Sequence, residues 1–385
     1  MKRIICLLAA AVLLAGGCGA SVAEIAPEGR IRCIVMGWDH FRTMEDTSPC
    51  SANNVEIMTA VFRDFLPGAE ITRKFGGTAR AEDFAKLIAE SCRGATEADV
   101  LYLYLSTHGV IWEENGETRM AFLISDGKEE DALEPRRIRE ILDGIPGRKI
   151  LILDACHSGA VAEEITGENY RVIASGGRME DSYFWIAPNR PEAGTGYFTS
   201  ALEGALRASL PEQIDPDGNG WVTAEELRGR MEEIYGASTL SCSGAGFGPE
   251  ETEGAAKAVF RMTQAAQTET RITGIRFDQT EQEENRTAVS FRFTVRRETR
   301  VDYRLIPMKN GKWAFDDAMT LPDRERSGGV RGQLSPGEKT RRIRVSEENL
   351  GEEGKALLQI ISLQGLHGQV PVLEASKIIV RGEEN

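Results

Sequence analysis

The sequence predicts an α/β domain, a mainly parallel sheet with helices on both faces, followed by a smaller all-β sandwich. Between residues 31 and 263, short apolar runs bounded by turn residues alternate with stretches of helical spacing. Beyond residue 264 helical periodicity fades, and alternating segments follow one another across turn-like NG, SGG and SPGE stretches. A chain of 385 residues also exceeds what one hydrophobic core ordinarily supports. The expected division is a leader over 1–17, a linker over 18–29, the α/β domain over 30–263 and the sandwich over 266–385, with 264–269 as the connection.

The leader begins with Lys2 and Arg3 and continues through an apolar run from Ile4 to Ala15 that is too short to span a bilayer. It ends in Gly16, Gly17 and Cys18, the layout of a secretory signal. In the α/β region, strands are expected at 31–36, 100–107, 149–154, 170–174 and 256–262, all short and nearly continuously apolar, as parallel strands buried on both faces are. Helices are expected where Val55, Met58, Val61, Phe62 and Phe65, and again Phe84, Leu87, Ile88 and Ser91, keep i, i+3, i+4 spacing. Further helices fit 135–142, 198–206 and 224–234. Crossovers of this length make the sheet mainly parallel. In the second unit, strands are expected at 289–296, 300–306, 339–345, 356–363 and 370–380.

The formal charge of −14 argues against nucleic acid or an anionic membrane surface as a partner, since both are bound through an excess of Lys and Arg. Past Cys18 the cysteines are Cys33, Cys50, Cys92, Cys156 and Cys242, too scattered for the disulfide framework of a small secreted domain and without a CxxC pair for zinc. Cys33 and Cys92, in apolar or helical surroundings, read as buried structural thiols.

Cys156 is different, because it follows a strand. VLYLYLSTHG brings one apolar strand to Thr107, His108 and Gly109, and KILILDACHSG brings another to Asp154, Cys156 and Gly159. In open α/β sheets ligands bind outside the carboxyl ends of the strands, so both side chains are expected in one crevice. A thiolate nucleophile with an imidazole to exchange its proton is the chemistry of nucleophilic catalysis.

STHG and DACHSG, each closing an apolar strand in that order, resemble the catalytic signature of the caspase, metacaspase, legumain and clostripain clan of cysteine peptidases. SANNVEIMTAVF at 51–62 resembles that clan's first helix, and GYFTSALEGAL at 196–206 its late FT-containing helix. The resemblance covers about residues 30 to 262. It implies a caspase-like fold and amide hydrolysis through a thioester acyl-enzyme. Cys156 would attack, His108 would protonate the leaving amine and activate water, and the backbone N–H groups of Gly109 and Cys156 would hold the oxyanion. His157 belongs to the pattern without a catalytic role. Asp154 matches the acid that selects Arg or Lys before the cut in metacaspases and clostripain. Asn54 stands where metacaspases carry a second acid, which weakens that charge selection. Two alternatives stay open: a noncatalytic surface lipoprotein acting as a binding scaffold, and a legumain-like peptidase or transpeptidase cutting after Asn or Asp.

Downstream, DPDGNGWVTAEE sets Asp215, Asp217, Asn219, Trp221, Thr223 and Glu226, with Gly220 at the turn, on the template of a calcium-binding loop. Thr223 and Glu226 equally form a capping box for the helix that follows. Calcium is therefore an expected ligand, and no organic cofactor is. At the other end, AGGC at 15–18 resembles a bacterial lipobox, whose cysteine is lipidated and becomes the mature N-terminus; cleavage nearby without lipidation is the alternative. The lipobox implies an exported protein at the outer face of the bacterial cell membrane, held only by acyl chains on Cys18. The long connection over 176–196 reads as a mobile loop, a substrate-side loop or a self-processing segment. The expected partner is a protein or peptide substrate.

Overall fold

The computed structural model describes residues 29–187, 190–207, 211–235, 258–262, 272–314, 317–324, 326–327, 330–364 and 370–382. The leader with Cys18, the connection at 264–269, Cys242 and His367 lie outside the described residues.

The chain runs through β1 (Ile31–Gly37), α1 (Cys50–Phe65), β2 (Glu70–Phe75), α2 (Ala81–Ser91), β3 (Val100–Ser106), β4 (Gly109–Glu114), β5 (Glu117–Ser125), β6 (Glu130–Leu133), α3 (Pro135–Asp143), β7 (Arg148–Asp154), α4 (Gly159–Glu164) and β8 (Tyr170–Ala174). Five of these strands form a parallel sheet in the order β2-β1-β3-β7-β8. Because side chains alternate across a strand, each central strand feeds two cores. Cys33, Val35, Tyr102, Tyr104, Ile150 and Ile152 face α1. Ile34, Met36, Leu101, Leu103, Leu105, Leu151 and Leu153 face α2 and α3. β2, EITRKF, escapes the apolar-run criterion because it is a charged, half-exposed edge strand. β4, β5 and β6 form a small antiparallel sheet that apolar runs did not reveal either.

A hairpin of β9 (Phe184–Ala187) and β10 (Arg190–Gly196) leads into α5 (Tyr197–Arg207), and then come α6 (Pro211–Ile214), β11 (Trp221–Thr223), α7 (Ala224–Tyr235) and β12 (Ala258–Arg261). The strand expected at 256–262 exists as β12, but it corrects the expectation of a parallel place in the central sheet. It pairs antiparallel with β11. Its apolar character comes from packing against the helical layer, where Phe260 meets Phe62, Phe65 and Tyr102 and the Tyr102 hydroxyl donates to the Val259 carbonyl at 2.6 Å.

The second unit comprises β13 (Ile272–Glu283), β14 (Arg286–Val295), β15 (Thr299–Lys309), β16 (Lys312–Trp313), β17 (Met319–Pro322), β18 (Arg326–Ser327), β19 (Val330–Arg331), β20 (Gln333–Leu334), β21 (Gly337–Ser346), β22 (Lys355–Gln364) and β23 (Val370–Val380). One sheet is β13-β14-β21; the other centres on β15, with β16, β17 and β20 along one side and β22 then β23 on the other. Phe291, Phe293, Ile343 and Val345 of the first meet Tyr303, Leu305, Leu358 and Ile360 of the second in one core, so the unit is a β-sandwich. Its second sheet is buried on both faces. Ile306, Trp313, Leu357, Ile361 and Leu363 join the core of Phe198, Leu202 and Leu206 beneath α5. The signal was present in KALLQIISLQ, whose central apolar residues do not alternate as a strand with one wet face requires.

Candidate active site

β3 and β7 are neighbours, with Ser106 opposite Asp154 in register. His108 and Cys156 each lie two residues beyond that pair, so both leave the same end of the sheet. Gly109 opens β4, and a Cβ there would fall 1.8 Å from the Cys156 carbonyl oxygen. The missing side chain thus lets two backbones of the site touch.

The half-buried His108 ring is held in two ways. Nε2 lies 2.8 Å from the Glu45 carbonyl oxygen, and the Phe41 ring meets it edge-on with centroids 4.6 Å apart. A carbonyl only accepts, so Nε2 carries the hydrogen and the neutral ring keeps its lone pair on Nδ1. The loop bearing Phe41 and Glu45 is pinned by the buried Asp39, whose carboxylate accepts from Thr47 Oγ1 at 2.8 Å and from the N–H groups of Ser51 and Ala52 at 2.8 and 3.1 Å. That caps α1 from outside, a task its own Pro49 cannot perform. Sequence reasoning missed Phe41, Glu45 and Asp39; the only trace was a long WDHF-containing connection at the carboxyl end of β1.

No hydrogen bond joins His108 to Cys156. The thiol is instead engaged by the segment after β8: the Ser182 N–H donates to Sγ at 3.3 Å, and Sγ lies 3.4 Å from the Ser182 carbonyl oxygen. Burial pushes the Cys156 thiol up to about 11, opposed by the Ser182 N–H and reinforced by Asp181 and Asp154. The rest of the DACHSG turn fastens that segment. His157, at φ 59°, takes a left-handed conformation, its N–H donates to the Glu180 carbonyl at 2.8 Å, and Nδ1 lies 3.1 Å from the Arg178 carbonyl. Gly159 packs so closely on Gly176 and Gly177 that a Cβ would come within 2.6 Å of a carbonyl oxygen.

Asp154 is 0 % exposed. Its carboxylate accepts from Thr199 Oγ1 at 2.6 Å, Ser182 Oγ at 3.1 Å and Asn54 Nδ2 at 3.2 Å. Burial raises it to about 6, against the lowering effect of the Thr199 and Ser182 hydrogen bonds. Asn54, also 0 % exposed, accepts from Thr195 Oγ1 and from the Gly196 N–H at 3.0 Å. It therefore fastens the entry of α5 onto Asp154. An acid at position 54 would set two carboxylates against each other, whereas the amide donates to Asp154; that is a physical reason for the departure at this position. Gly196 has no room for a Cβ, which would lie 2.2 Å from Asp154 Oδ2. Thr199 and Ser182 are the partners that sequence reasoning missed.

Away from this crevice, the carboxylates of Asp215, Asp217 and Glu226 converge, with one oxygen of each within 4.8 Å of the others. The loop turns at Gly218 and Gly220, both at positive φ, with N–H groups of Asn219 and Gly220 on Asp215 and that of Trp221 on Asn219 Oδ1. Burial and then the neighbouring Asp217 raise the Asp215 carboxyl, against the Gly220 and Asn219 N–H groups. The capping box is formed as well: Thr223 N–H donates to Glu226 Oε2 at 2.8 Å, and Glu226 N–H to Thr223 Oγ1 at 3.1 Å. An all-oxygen set of this kind suits a hard cation.

The parallel sheet brings a thiol and an imidazole off adjacent strand ends, the two groups with which a cysteine peptidase works. The chain belongs to the caspase-domain family, whose sequence profile matches residues 30–273. Among solved structures it is similar to caspase-1 from Spodoptera frugiperda, at 13% identity and a TM-score of 0.39, over 62% of this chain and 86% of that one. It is similar also to protein GSU0716 from Geobacter sulfurreducens, at 13% identity and a TM-score of 0.38, over 52% of this chain and 88% of that one. None of the curated proteins matches the chain. Among the described residues no helix is long and apolar enough to cross a membrane.

Proposed function

We propose that this family member is an endopeptidase that cuts after Arg or Lys through a thioester formed on Cys156. The observation that carries the reading is the pairing of Ser106 with Asp154, which sends His108 and Cys156 off one sheet end. With Nε2 bound to the Glu45 carbonyl, Nδ1 of His108 takes the thiol proton, returns it to the leaving amine and then activates water. The N–H groups of Gly109 and Cys156 hold the oxyanion, and Asp154 receives the cationic side chain before the cut.

The described arrangement corresponds to a latent form. A thiol pushed to about 11 and engaged by Ser182 is protonated at neutral pH, and Ser182 and Thr199 occupy the Asp154 carboxylate. Displacement of the segment over 176–196 frees the thiol and takes Ser182 off Asp154, and Arg178 and Arg190 within it are residues of the proposed specificity. Asp215, Asp217, Asn219, the Trp221 carbonyl, Thr223 and Glu226 would hold calcium, which would stiffen the turn between α6 and α7. Cys18 would carry the lipid, placing the protein at the outer face of the cell membrane.

The test is digestion of a peptide library with mass-spectrometric mapping of the cut sites, run beside Cys156→Ala. Cuts after Arg and Lys that vanish in the variant support the reading; cuts elsewhere, or cuts that persist, overturn it.

A further inference from the structure

The sandwich carries a cleft of about 710 Å³, to which the chain contributes Arg286, Arg324, Arg341, Arg342 and Arg344 and a single acid, Asp323. This is a reversal of sign in a chain of formal charge −14. Asp323 is spent inside: it accepts from Arg341 Nε at 2.6 Å and from the Tyr303 hydroxyl, and the Arg341 guanidinium also lies over the Phe293 ring. Arg342 and Arg344 lean on Glu281 and Glu283 of β13 at 2.7 to 2.9 Å. Arg286 and Arg324 are exposed and make no side-chain hydrogen bond or ion pair among the described residues. Two unneutralised guanidiniums thus flank the cleft, above a floor of Ile343 and the exposed Leu321.

The backbone around the cleft is equally unfinished. Among the described residues, β21 is the last strand of its sheet, paired only with β14, and β17 is an outer strand of the other sheet, paired only with β15. The cleft lies between them, where the sandwich is open along one seam. An edge strand presents a row of N–H and C=O groups to any extended chain beside it. Ten residues of β21 pair with β14 without a break in register, so the free edge is long and regular.

We propose that this seam is a docking cleft for an extended, acidic polypeptide segment, which adds as a strand to β21 while its carboxylates meet Arg286 and Arg324. Strand addition supplies affinity through the main chain and leaves alternate side chains to read the walls. A period of two residues then sends every second side chain toward the arginines and the others over Ile343 and Leu321. The proposal is independent of catalysis at Cys156 and gives the sandwich a recruiting role.

The experiment uses the full chain and a fluorescent nine-residue peptide alternating Glu and Val, which contains no Arg or Lys to be cut. Saturable binding that weakens with salt is expected, with Arg286→Glu and Arg324→Glu together reducing affinity about tenfold or more. Both side chains are exposed, so the melting temperature should stay unchanged. Should the reversal perturb the fold, Arg286→Gln with Arg324→Gln gives the same reading with about a threefold loss. A peptide methylated on alternate backbone nitrogens along its ladder-forming edge should bind far more weakly. Unchanged affinity in the arginine variants overturns the site. Equal binding of the methylated peptide, or full displacement by inorganic polyphosphate at equal charge, overturns strand addition.

Discussion

Cys156 and Asp154 sit two residues apart, and burial raises both. It holds the thiol protonated, at about 11, while the carboxyl, at about 6, stays ionised at neutral pH. Cys156→Ala removes a sulfur and little packing, so peptide cleavage should disappear while the melting temperature is preserved; loss of both would indicate a structural thiol. Asp154 ionises as pH rises through about 6, so the ratio of kcat/KM for Arg peptides over neutral peptides should climb across that pH and level off above it. Asp154→Asn should flatten the climb and lower kcat/KM for Arg and Lys peptides by about 30-fold, or about 2 kcal/mol, with neutral peptides changed much less. Equal losses on both peptide types would make Asp154 a support for the turn that carries Cys156.

At the scale of elements, the segment from Arg178 to β10 is the part set against catalysis. Its start is tied down by Arg178, which binds Glu163 at 2.6 Å, Glu164 at 3.3 Å and the Thr118 carbonyl at 3.2 Å. Arg178→Ala should loosen the clamp and speed alkylation of Cys156 by iodoacetamide about three- to tenfold, with Cys33, Cys50 and Cys92 protected by burial. An unchanged rate would mean that His157 and Gly159 alone keep the segment closed. The loop between α6 and α7 gives a second test. Calcium should raise the melting temperature, and Asp215→Ala with Glu226→Ala should abolish the rise; an equal rise in the double variant would move the ion elsewhere.

Across the whole molecule, the sandwich and the α/β domain meet at α5 and β23, where Arg304 lies over the Tyr197 ring and the acids Glu203 and Glu374 are buried among apolar contacts. Glu374 occupies the extra position where the β22–β23 register shifts, and it accepts from Ser362. Burial first, and then Glu203 of α5, push its carboxyl up to about 8. In the unfolded chain such a group ionises at about 4.3, so between those values the folded chain holds the extra proton. The stability that it contributes is therefore full below about pH 4, falls as pH rises through the window and is lost above about 8. Glu374→Gln should melt higher than the parent at pH 9 and at the same temperature at pH 4; a difference independent of pH would put the cause in packing.

What the sequence settled by itself was local. Apolar runs long enough only for buried strands, helical spacing between them and two strand-end motifs were enough to place His108 and Cys156 at one sheet end, because parallel strands joined by crossovers present their carboxyl ends on one side. What only the tertiary structure decided rests on contacts between distant residues: Ser182 on Cys156, Glu45 on His108, Asn54 on Asp154, β12 against β11 instead of inside the sheet, and a sandwich sheet buried on both faces. Residues 26, 63 or 100 positions apart leave no periodicity to read. Their meeting depends on how the helical layer and both sheets fill space together, since a packed interior admits few arrangements and the backbone follows.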